Sequence, residues 1–138
     1  FMIVLNTVQF NLGFTNKVEE ADFGDDKVIL ININASFAEE KSVYDAVRFA
    51  WRINVNKAQQ ADYILAVSKG VIRGVFIAKE WLPATKANFP KYDKDVENRY
   101  GFKGTDAPGD IQQKYLGKRI PDSYRKKGAM APVKYNYS

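Results

Sequence analysis

The feature that most constrains this chain is Lys69-Gly70, a two-residue break between apolar runs Asp62–Ser68 and Val71–Ala78. Both runs are rich in Val, Ile, Tyr and Phe, and a glycine at the break supplies the positive φ of a tight turn, so the pair reads as an antiparallel hairpin. Gly74 interrupts the second arm and marks a bulge or a place where another group approaches the backbone. Trp81-Leu82-Pro83 then ends the hairpin, and Thr85–Asn98 reads as a polar loop. Further strand signals lie in Lys27–Asn34, rich in β-branched residues, in Arg99–Lys103, with Tyr100 and Phe102 on one face, and in Val133–Tyr137. Residues 2–14 are also strand-like.

The helical signals are fewer. Ser42 followed by Asp45 resembles a capping box with a shortened acid. Val43, Ala46, Val47, Ala50 and Trp51 then recur at helical spacing on one face, while Phe49, off that face and flanked by Arg48 and Arg52, either covers a second part of the core, the favoured reading, or presents a stacking surface. Val55–Ala61 reads as a short helix. Thr105 or Asp106 is expected to cap another helix with Pro108 in its first turn, ending before Gly117 and turning Ile111, Tyr115 and Leu116 to the core. Short strands with helices between them, and no regular strand–helix alternation, predict one α+β domain over residues 1–138. Its expected form is a small curved, largely antiparallel sheet or partly open β-barrel with two main helices.

Composition narrows the chemistry. The chain has 138 residues with no cysteine and no histidine, which excludes disulfides, thiolate nucleophiles, Cys/His zinc sites and imidazole catalysis. No cofactor is expected. Residues 1–90 carry ten basic and ten acidic residues, whereas residues 91–138 carry eleven against six and supply the whole net charge of +5. The basic run Lys114, Lys118, Arg119, Arg125, Lys126, Lys127 and Lys134 suits a phosphate backbone or an acidic surface, or simply keeps the protein in solution. No apolar stretch approaches a membrane span, and Phe1–Leu5 is too short for a secretory leader, so a cytoplasmic protein without membrane contact is expected. The chain opens on Phe1 rather than Met, as expected of a fragment or of a chain lacking upstream residues.

Residues 44–83 resemble the EVE domain of the PUA-like superfamily, which also includes ASCH and YTH domains. Tyr44-Asp45-Ala46-Val47-Arg48 matches the domain's Trp-Asp-Gly-Val-Arg stretch at Asp45, Val47 and Arg48. Asp62 precedes the hairpin, Arg73-Gly74-Val75 supplies an inner glycine, and Trp81-Leu82-Pro83 gives the aromatic-proline exit. The polar residues that follow the arginine in EVE domains are replaced here by Phe49, Ala50 and Trp51. Together with Arg99–Gly104, the same stretch is similar to a recurring bacterial protein family. The EVE-like resemblance implies a PUA-like barrel that binds RNA or a modified base in DNA beside its first helix. It places Arg48, Trp81 and Arg99 on a cleft, with Tyr100, Tyr44 and Trp51 as further base contacts. The structural alternative for each aromatic residue is the core, which the apolar helix face favours for Trp51, while Trp81 is expected at a cleft rim. Lys118, Arg119, Arg125, Lys126 and Lys127 would then meet the phosphates.

Two other classes stay open. A protein-interaction module could present the basic tail to an acidic partner. A metal-dependent nuclease could use the acidic residues of 19–26 with Asp45 and Asp62, although the spacing is not that of a known calcium loop.

Overall fold

The computed structural model describes residues 18–125 and 131–138. The strand-like stretch 2–14 and the basic residues Lys126 and Lys127 fall outside this range. In chain order the elements are β1 (Val28–Asn32), α1 (Asn34–Phe37), α2 (Val43–Val47), α3 (Val55–Ala58), β2 (Tyr63–Ser68), β3 (Val71–Pro83), β4 (Tyr100–Asp106), α4 (Gly109–Tyr115) and β5 (Val133–Tyr135). Single 3-10 turns at Pro90–Tyr92 and Asp122–Tyr124 complete them.

The strands form one open sheet in the order β4-β3-β2-β1-β5. β1 and β2 are parallel, joined by the crossover that carries α1, α2 and α3, and the remaining pairs are antiparallel. The sheet does not close into a barrel. Its central strands are buried on both faces, which explains why β1 is an unbroken apolar run over Val28–Ile31, with each residue at most 3% exposed. Alternation along β1 divides the core. Ile29 and Ile31 pack with Val47, Ala58, Phe76 and Phe102 under the helical crossover. Val28 and Leu30 pack with Phe23, Val75, Tyr115 and Ile120 on the opposite face.

The hairpin turn forms where expected, with φ of 52° at Lys69 and 78° at Gly70, the paired positive values of a type I′ turn. Gly74 answers to close approach: a Cβ there would lie 2.6 Å from Val43 Cγ1, so the missing side chain lets α2 settle on β3. The β2–β3 register shifts beside it, between Ala66 and Val67.

Several boundaries differ from the sequence reading. α2 stops at Val47 because Ala50 takes a positive φ of 80° and carries Trp51 out of helical geometry. Trp51 instead exchanges backbone hydrogen bonds of 2.9 Å with Tyr100. Phe102 N–H donates to Arg48 O at 2.9 Å and Gly104 N–H to the Tyr44 hydroxyl at 3.0 Å, so the segment after α2 caps the outer edge of β4. β3 runs past Ala78 and ends at Trp81-Leu82-Pro83 as expected, and β4 continues to Asp106, which pairs with Phe76. Thr105 and Asp106 are therefore strand residues, and Pro108 occupies the cap of α4. Tyr115 is fully buried but Leu116, just past the helix, is 48% exposed and does not join the core. α1 carries no clear sequence signal. No helix among the described residues is long and apolar enough to cross a membrane.

Candidate functional site

The basic C-terminal run does not stand alone in space, because the acidic segment before β1 folds against it. Lys114 Nζ donates to Asp26 Oδ2 at 2.8 Å, Lys118 lies 3.7 Å from Glu19, and Arg119 lies 3.3 Å from Glu20 and 3.2 Å from Asp122. Arg125 also pairs with Asp122. Burial opposes ionisation of Asp26, but hydrogen bonds from Lys114 and Tyr115 outweigh it and hold the carboxyl below its ordinary range. Tyr115 is pushed up to about 12, chiefly by burial and then by its hydrogen bond to Asp26. Lys114 is raised by its hydrogen bond to Asp26, so this pair stays ionised over the whole neutral range. Asp122 is held low by the hydrogen bond and charge of Arg125. Lys118 and Arg119 are thus tied to carboxylates.

Two cations outside these ion pairs, Lys69 and Lys134, converge elsewhere with Arg125. A cleft of about 310 Å³ opens at the C-terminal end of β1, beside the hairpin turn. Lys69, Arg125 and Lys134 line it together with Asn32 and Tyr124, over an apolar floor that includes Leu30 and Val67, and among the described residues no carboxylate lines it. Backbone pairing fixes the arrangement: Ile120 N–H donates to Gly70 O at 2.9 Å, which brings the segment after α4 onto the turn. Arg125 then crosses the bare face of Gly70, its Cδ 3.2 Å from where a Cβ would sit. Among the described residues no carboxylate lies within ion-pair distance of Lys69 or Lys134. Three cations around a concave surface with a half-buried tyrosine suit an anionic ligand.

The cleft expected from Arg48, Trp81, Arg99 and Tyr100 is not assembled in that form. The four do share one end of the sheet, held there by the Trp51–Tyr100 bridge and the Arg48–Phe102 hydrogen bond. Trp81, expected at a rim, is only 8% exposed and packs its ring 5.1 Å from that of Phe102. It faces inward because its register in β3 places it opposite Phe102 on the apolar side. Arg48 is also committed. Its Nε donates to Asp45 Oδ1 at 3.2 Å, and its guanidinium lies 5.0 Å from the Tyr44 ring and 5.3 Å from the Tyr92 ring, leaving the side chain 16% exposed. Tyr92, pushed up to about 12 mainly by burial, donates its hydroxyl to Asp45 O at 2.6 Å. Trp51 is half-buried, its indole N–H donating to Val47 O at 2.7 Å.

Arg99 and Tyr100 line a different cleft, of about 420 Å³, which they share with Asp95 and Glu97. Two carboxylates there oppose a phosphate. Of the sequence candidates in the described region, Arg125 alone lines the cation-rich cleft. Lys134 belongs to the basic run read as suited to a phosphate backbone, whereas Lys69, Asn32 and Tyr124 carry no such reading in the sequence. The one local signal was Lys69 itself, a lysine at a turn position that Asn or Gly fills best.

The carboxylates considered for a metal are spread apart and used. Asp62 accepts from Lys27 N–H at 2.8 Å, Asp22 from Gly24 N–H at 3.0 Å, and Asp45 from Arg48. Among the described residues no three potential ligands cluster. No protein family, curated protein or solved structure matches the chain.

Proposed function

We propose that this protein binds nucleic acid, RNA or DNA, without transforming it, and that the phosphate backbone is held in the cleft between Lys69, Arg125 and Lys134. The observation that carries this reading is the convergence of those side chains on a concave surface where, among the described residues, Lys69 and Lys134 have no carboxylate within ion-pair distance and Arg125 alone is paired, with Asp122. The EVE-like resemblance over residues 44–83 points the same way, toward RNA or a modified base in DNA and a cytoplasmic protein of PUA-like kinship. Recognition does not run through Trp81, whose ring serves the core. Lys118 and Arg119 contribute at the margin, since their charge is already balanced by Glu19, Glu20 and Asp122.

The test is fluorescence anisotropy with labelled oligonucleotides across a salt series. Three phosphate contacts give a log–log salt slope of about −2 for a single strand and nearer −3 for a duplex. Arg125→Gln and Lys134→Gln are each expected to flatten the slope by about one unit. Absence of salt-dependent binding to any nucleic acid overturns the proposal, and binding of an acidic peptide instead would assign the cleft to a protein partner.

A further inference from the structure

The cation-rich cleft continues past the hairpin turn. On the other side of Lys69 lies a groove of about 570 Å³, lined by Phe37, Val43 and Arg73 together with Asn34 and Ser68, again without a carboxylate among the described residues. Lys69 borders both hollows, so the cations follow one another as Lys134, Arg125, Lys69 and Arg73. Phe37 stands on this path. It is 36% exposed, whereas Phe23, Phe49, Phe76, Phe89 and Phe102 are all at most 8% exposed. Its position is built rather than incidental: Asn34 Oδ1 accepts from both Ser68 Oγ and Lys69 N–H at 3.0 Å, tying α1 to the hairpin turn. Ser36 Oγ donates to Ala46 O at 2.8 Å, anchoring the same short helix to α2.

Building on the basic-cleft reading, we propose that the ligand is single-stranded nucleic acid. Its backbone passes from the Lys134 side over the Lys69 turn toward Arg73, and one base stacks on Phe37. A ring that is open to a groove and flanked by cations is what an unpaired base requires, because stacking needs a free π-face and the phosphates on either side need positive charge. A duplex keeps its bases stacked on one another and offers Phe37 only its backbone. Stacking also explains why the groove can be apolar at Phe37 and Val43 while its borders are basic. The interaction is tolerant of sequence, since every base has a π-face.

The experiment compares the full chain on a fluorescein-labelled 12-nucleotide dT strand, the matching rU strand and a 12-base-pair duplex at one ionic strength. Single strands are expected to bind at least tenfold more tightly than the duplex. Phe37→Ala should weaken single-strand binding roughly 5- to 150-fold with an unchanged salt slope, while Phe37→Tyr retains affinity. Arg73→Gln should flatten the slope by about 0.7. Urea midpoints equal to wild type establish that the exposed Phe37 variants remain folded. If the duplex binds as well as single strands and Phe37→Ala has no effect, the groove proposal is wrong, whereas loss of binding in Arg125→Gln and Lys134→Gln would still uphold the cleft. If the wild type binds none of the three probes, both readings fall together.

Discussion

Trp81, expected at a cleft rim, is core, while Phe37 is the ring that stands partly open. Trp81 follows Lys79-Glu80, yet β3 continues through that charged pair, with a shift of register between Ala78 and Glu80, and turns the indole onto Phe102. Phe37 sits in a stretch with no strong periodicity, yet among the described residues it is the phenylalanine left open to a groove. Neighbouring charges in the sequence do not report which face of a strand a ring occupies; register does. Trp81→Ala is therefore expected to cost about 3–5 kcal/mol by leaving a cavity in the core. Urea unfolding measures it. A variant as stable as wild type but defective in nucleic-acid binding would return Trp81 to the surface and reverse the assignment. Phe49, by contrast, was legible as core, and its stacked contact with Tyr92 at 4.1 Å shows why a residue off the main helix face still found a buried partner.

The elements were most legible where local chemistry is self-sufficient. The I′ turn at Lys69-Gly70, the apolar β1 and the Ser42 cap, whose Oγ accepts from Asp45 N–H at 3.1 Å, each follow from residues a few positions apart. The extent of α2 was not legible, because apolar periodicity continues through Trp51 while the backbone reverses at Ala50 to cap the edge of β4. A long-range edge pairing overrode a short-range pattern. The same contrast of local and functional demands meets at Lys69. Its φ of 52° is left-handed, where asparagine is accommodated better than lysine, so the turn alone does not favour a cation. Lys69→Asn is accordingly expected to hold or raise the melting temperature while weakening oligonucleotide binding and reducing its salt slope by about one unit. A drop in stability with unchanged binding would show that the lysine serves the turn.

At the level of the whole molecule, folding sets part of the basic C-terminal region against acidic residues of the first half, and this could not be read locally. Asp26 and Lys114 are 88 positions apart, and their contact with Tyr115 joins the segment before β1 to α4. The chain has no histidine, so its pH response lies at the two extremes. On the acid side, Asp26 and Asp122 are held below the ordinary 3.8, so the unfolded chain takes up protons there before the folded one does. The stability they contribute is complete above about pH 4 and is lost as pH falls through their lowered values. On the alkaline side, burial pushes Tyr92, Tyr115 and Tyr137 up to about 12 from an ordinary 10.0. Between those values the unfolded chain releases phenolic protons that the folded chain retains, so stability falls as pH rises, and the raised Lys114 acts with the same sign. Tyr115→Phe removes one raised phenol and one of the hydrogen bonds that hold Asp26 low. Its stability–pH profile is expected to be lower on the plateau but shallower on both limbs, as measured by thermal melts from pH 2 to pH 12. Limbs as steep as those of wild type would show that the Asp26–Lys114–Tyr115 contact does not couple the two halves of the sequence through their protons.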